Sequence, residues 1–164
     1  MMDLPHKRLS HTPEELVGIG FRGWLAGYEY QDIAYWEIVW NTYAAVLGPK
    51  QAKGAVMDLS AWVRAVRQTA RRPIRTLPSG CCGFCEDEHR AIAIIAACQH
   101  EHCPVLQVCA RAFLGSPDID AMLNEAFDFA GQLAEAGQYL DQYLEVSSER
   151  STTCSDGWQP FKFQ

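Results

Sequence analysis

Positive charge is scarce in this chain: 14 lysines and arginines stand against 20 acidic residues, for a net charge of -6 and an isoelectric point near 5.3. That balance argues against a whole-surface attraction to nucleic acid or to an anionic membrane. No window approaches the eighteen or more apolar residues of a membrane span, so no membrane partner is expected. The opening Met-Met-Asp-Leu-Pro-His-Lys-Arg-Leu-Ser has no apolar signal-peptide core, which makes the cytoplasm the expected location. Also missing are a βαβ pattern, a repeat of solenoid period, a phosphate loop, and any Ser-His-Asp or paired-carboxylate arrangement readable from spacing. Without a visible reacting centre, the reading leans away from an enzyme.

What is present is a globular composition, with 48% apolar and 21% charged residues in 164 positions, enough for one domain with a core of its own. Apolar residues recur at helical rather than alternating spacing, and the expected fold is an all-α, single-domain bundle of five to six helices with no substantial sheet. A flexible leader over 1–11, a bundle over 12–146 and a polar tail over 147–164 divide the chain, and the tail carries Trp158, Phe161 and Phe163.

Thr12-Pro13-Glu14-Glu15 supplies a cap, a first-turn proline and acids for a first helix. Gly18-Ile-Gly20-Phe-Arg-Gly23 inside it matches the dinucleotide fingerprint formally, but no strand precedes it. The better reading is that Gly20, Gly23 and Gly27 share a face and admit a close neighbour, at about 1 kcal/mol of helix propensity each. Gln31 or Asp32 caps a second helix rich in Trp36, Val39, Trp40 and Tyr43, expected to be the buried centre. A third runs from Pro49 towards Arg72, a fourth begins near Cys85, a break falls at His100–Pro104, and the last spans roughly 118–145.

Five of the seven cysteines lie between Ser79 and Cys103. In a reducing compartment such residues are thiols, metal ligands or redox groups rather than a disulfide framework. Cys82-Gly-Phe-Cys85 followed by His89, with Cys81 as a fourth donor, has spacing compatible with tetrahedral zinc, although a second spaced pair is missing. The same Cys-x-x-Cys at a helix N-terminus allows redox chemistry through a lowered thiol pKa, for which a thioredoxin-like βαβ context is absent. Glu86-x-x-His89 has di-iron spacing but lacks its second copy.

Arg64, Arg67, Arg71, Arg72 and Arg75 fall within twelve positions and make a candidate phosphate or nucleic-acid patch, which the acidic total disfavours. No lysine or arginine occurs from Ser116 to Glu149, so an acidic last helix and an arginine-bearing third helix are candidates to meet. The preferred function is a small binding or regulatory protein acting through its helical surfaces on a protein partner or a second copy. The alternatives are a zinc protein using Cys81, Cys82, Cys85 and His89, and an anion binder using the arginines.

Overall fold

The computed structural model describes residues 11–141, His102 apart, and every regular element in that range is helical. In chain order these are α1 (Pro13–Tyr30), α2 (Ile33–Leu47), α3 (Pro49–Thr69), α4 (Glu86–His100), α5 (Cys103–Leu114) and α6 (Asp120–Glu135). The all-α bundle is therefore the fold. Residues 1–10 and the tail with Trp158, Phe161 and Phe163 lie outside the described residues.

Helix boundaries follow local chemistry. Thr12 Oγ1 accepts the Glu15 N–H at 3.2 Å and Asp32 accepts the Ala34 N–H at 2.9 Å, so both starts have a side-chain cap. α3 stops at Thr69 rather than Arg72 because Pro73 disfavours helical geometry in the residue before it, and the chain is already extended at Ala70. α6 is shorter than the expected 118–145. Gly137 takes a left-handed φ of 77°, its N–H reaches Ala134 O, and Gln138 N–H reaches Leu133 O at 2.8 Å, the glycine stop that satisfies the last carbonyls.

The centre of the bundle is Trp62 on α3, not α2. Its ring lies 5.3 Å from Phe21 of α1 and 5.6 Å from Phe129 of α6, Phe21 reaches Phe113 of α5 at 5.9 Å, and the Trp62 indole N–H points at Met122 Sδ. All four rings are fully buried. Such side chains each contribute about 2–3 kcal/mol by burial alone. α2, expected at the centre from its aromatic content, buries only Val39 and Tyr43 and packs at the periphery against α1 and α3. Apolar content shows that a helix seeks a partner; it does not show that the partner lies in the same chain.

The glycines of α1 explain how α2 docks. A Cβ at Gly20 would overlap the Tyr43 hydroxyl, one at Gly23 the Val39 side chain, and one at Gly27 the Trp36 indole. Tyr43, fully buried, donates to Leu16 O at 2.6 Å, and Trp36 Nε1 donates to Trp24 O at 3.1 Å. Three α2 side chains thus sit in sockets where α1 has no side chain, and close approach offsets the lost helix propensity.

The acids of α6 do not meet the arginines of α3. They lie beside Asp58 of α3, whose carboxyl is pushed up by partial burial and by Asp128, Glu125 and Glu135. Arg67 instead stacks over the Tyr28 ring on the α1 side, 4.9 Å from its centroid.

Gly20→Ala should lower stability by about 1–3 kcal/mol, because steric conflict with buried Tyr43 outweighs the gain in propensity. Gly131→Ala, where a Cβ meets nothing, should raise it by up to about 1 kcal/mol, and urea melts of both variants check the contrast. For Asp58 the folded pKa is raised, so its penalty is absent at low pH and appears as pH rises through the carboxylate range. Asp58→Asn should therefore raise Tm at pH 7 and flatten the stability profile between roughly pH 4 and 6, measured by thermal melts across that window.

Candidate functional site

The segment 70–85 between α3 and α4 is rich in residues that break regular structure, and it has no helix or strand of its own. Its backbone polar groups therefore need partners from elsewhere. α4 and α1 supply them. Glu88, fully buried, accepts from Leu77 N–H at 3.2 Å and from Cys85 N–H at 3.0 Å. Arg22 of α1, 6% exposed, donates to Glu88 through Nε at 2.6 Å and Nη2 at 3.2 Å, then reaches Cys81 O at 3.0 Å and Gly83 O at 2.7 Å. One guanidinium thus grips both a carboxylate and two carbonyls of the cysteine loop.

Asp87, also buried, does the same for the upstream half of the segment. It accepts from Arg72 Nη2 at 2.8 Å, from Arg75 N–H at 2.8 Å and from Arg90 at 3.0 Å. Arg72 also donates to Phe113 O at 2.8 Å, which ties the segment to α5. Phe84 closes the loop over α1: its ring occupies the space where Gly18 has no side chain, with the Arg22 guanidinium 5.1 Å from its centroid and the His89 ring set edgewise at 6.0 Å.

The expected ligand set is placed as follows. Cys85 is the N-cap of α4, and its Sγ donates to Arg75 O at 3.2 Å. Burial and the nearby Glu88 push its thiol up to about 12, the reverse of the lowering expected from a helix N-terminus. Cys82 is exposed, Cys81 is half-buried, and His89 lies one turn into α4, held by burial below its ordinary pKa. Among the described residues no three histidine, cysteine or acidic side chains are disposed to hold a metal ion. As placed, Cys85 Sγ is hydrogen-bonded to Arg75 O and Glu88 is engaged by Arg22.

Arg64 and Arg67 are exposed on α3 beside Tyr28, Arg71 and Arg75 are exposed in the segment after the helix, and Arg72 is taken up by Asp87 and Phe113 O. The residue that sequence reasoning missed is Arg22. Its signal was visible: a lone cation one turn from Gly18 and close to Leu25 on an otherwise apolar stripe, with no nearby acid on its own helix to explain it.

Breaking the buried pair from one side leaves a charge without its counterion. Glu88→Gln should cost about 3–5 kcal/mol and speed proteolysis within 70–85, as measured by denaturant melts and timed digestion. A loss under about 1 kcal/mol would show that the loop is held without this pair. No protein-family model matches the chain, and no characterised protein or solved structure is significantly similar to it.

Proposed function

We propose that this chain is a thiol–disulfide redox protein whose working pair is Cys82 and Cys85. The observation that carries the reading is the contrast between the two thiols: Cys82 is exposed, whereas Cys85 is half-buried, pushed up to about 12, and hydrogen-bonded to Arg75 O. An exposed thiol can meet a partner's disulfide, and a second thiol that keeps its proton waits until the mixed disulfide has formed. In that sequence the Cys82 thiolate attacks one sulfur of the partner's disulfide, whose S–S bond breaks as the mixed disulfide forms. Cys85 then gives up its proton and attacks Cys82 Sγ, and the partner leaves as a dithiol. Two electrons and two protons have passed from protein to partner. No βαβ unit occurs among the described residues, but the exchange chemistry belongs to the pair and not to the scaffold.

The test is a redox titration of purified chain against mixtures of oxidised and reduced dithiothreitol, read by thiol alkylation and mass spectrometry. A reversible Cys82–Cys85 disulfide is expected, with Cys85→Ser accumulating a mixed disulfide at Cys82. Failure to form that disulfide, or one equivalent of zinc bound to reduced protein and lost in Cys82→Ser, would overturn the redox reading, the latter in favour of metal.

A second reading is favoured by a different observation. Ile33 and Trp40 of α2 are exposed and line an open groove with Trp24, Trp36 and Val56. Such a surface suits a binding or regulatory protein that engages another protein through its helices. Capture of a partner that survives chelation and Cys82→Ser but is lost in Ile33→Glu supports it; capture unaffected by Ile33→Glu sinks it.

A further inference from the structure

Arg64 and Arg67 lie one turn apart on α3, both exposed, and neither forms an ion pair among the described residues. What they approach is Tyr28 of α1. The Arg67 guanidinium lies over the phenol ring, 4.9 Å from its centroid, Arg64 faces the hydroxyl, and Ser60 Oγ, one turn before Arg64, is 3.4 Å from the same oxygen. Burial alone would raise the Tyr28 pKa, but Ser60, Arg64 and the Trp24 indole N–H, turned towards the phenolic oxygen, outweigh it and lower the group. Trp24 Nε1 is itself buried and reaches no acceptor within hydrogen-bond geometry. The acid beside them, Glu29, is raised by partial burial more than Arg67 draws it down, and it closes no ion pair among the described residues.

Donors are therefore in excess here. Two guanidiniums, an indole N–H and two hydroxyls converge, and the acceptors these side chains offer one another are the two hydroxyl oxygens alone. A buried donor without an acceptor is costly, so the cluster gains from a ligand that only accepts. A carboxylate brings two oxygens. Two guanidinium forks and two hydroxyls are better matched by the three terminal oxygens and near-double charge of a phosphate. We propose that Tyr28, Ser60, Arg64 and Arg67 form a binding site for one phosphate group, free or at the end of a small phosphate ester. A net charge of -6 favours a single phosphate over the long polyanion of a nucleic acid. Trp24 and Val56, one turn before Tyr28 and Ser60 on the same two helices, line the tryptophan groove, so the organic part of an ester has an apolar surface beside the site.

Isothermal titration calorimetry of the full chain in low-salt, phosphate-free buffer tests it, with inorganic phosphate, phenyl phosphate and phenol as separate titrants. Inorganic phosphate is expected to bind with Kd on the order of 1 mM. Equal binding of phenyl phosphate identifies the free anion as the ligand and tighter binding identifies an ester; either supports the site. Arg64→Ala and Arg67→Ala, at exposed positions, should each weaken binding at least about tenfold with unchanged circular dichroism, and Tyr28→Phe, which removes only the hydroxyl, about three- to tenfold. Arg111→Ala removes the same charge from an exposed position on α5 and should leave Kd unchanged. Failure of both phosphate and phenyl phosphate to bind up to about 50 mM, well beyond the range of a formed site, overturns the proposal. So does an equal loss in Arg111→Ala and Arg64→Ala, which would reduce binding to overall charge. Phenol binding as tightly as phenyl phosphate, or a single-stranded oligonucleotide binding where inorganic phosphate does not, overturns it as well.

Discussion

The Arg22–Glu88 pair is the constraint on which the rest of this structure depends. Taking two charges out of water costs several kcal/mol per ion, and their mutual attraction alone does not guarantee a net gain. The pair is better understood through what it satisfies. Besides each other, the two side chains take up the carbonyls of Cys81 and Gly83 and the N–H groups of Leu77 and Cys85. Those backbone groups belong to a segment without a ladder of its own, and two apolar side chains in the same space would leave them unpaired at about 1–3 kcal/mol each. The ion pair therefore substitutes for secondary structure. It is also directional, since it joins α1 to α4 across the loop and fixes where Cys81, Cys82 and Cys85 lie against the helix start.

α1 makes this possible because it is read on two sides. Gly18 and Arg22 lie roughly opposite Gly20, Gly23 and Gly27 on a helix that turns about 100° per residue. One side receives Phe84 and the cysteine loop; the other receives Tyr43, Val39 and Trp36 of α2. Small residues on both sides let two different neighbours come within contact of the α1 backbone. The same density of glycine that resembled a nucleotide fingerprint is thus a packing device, and no strand precedes it among the described residues.

Much of the fold was legible because helix starts are local events. Thr12-Pro13, Asp32, Gly48-Pro49 and Cys85 announce their helices through caps and proline, and each works over a few residues. What failed depended on tertiary arrangement. α2 looked central because its aromatic content is high, yet Trp62 of α3 is the side chain on which α1 and α6 converge. The helix expected to reach Arg72 ends at Thr69, and Arg72 pairs with Asp87. The Cys85 thiol looked activated by its helix start, but burial and a carboxylate three residues on outweigh the dipole. The position of the candidate site was readable from the spacing of Cys82, Cys85 and His89. Its supporting partner, Arg22, is 66 residues from Glu88 in sequence, and no local pattern links them.

The separation of the two faces of α1 bears on how the redox and association readings fit together. A protein that exchanges disulfides with a partner needs its attacking thiol at the surface, and Cys82 is exposed on the α4 side of α1. The groove at α2 lies on the other side of α1, so a partner covering Ile33 and Trp40 would leave the loop open. The reverse coupling is weak for the same reason. α2 touches the loop only through α1, whose backbone is held by Arg22 and Phe84 on one side and by Tyr43 and Trp36 on the other. A close-packed helix gripped at both faces transmits little displacement, because any shift that relieves one socket overlaps the other. On those two readings, oxidation of the dithiol and binding through α2 would be independent equilibria on one scaffold, and a mutation in either face should leave the other's constant nearly unchanged.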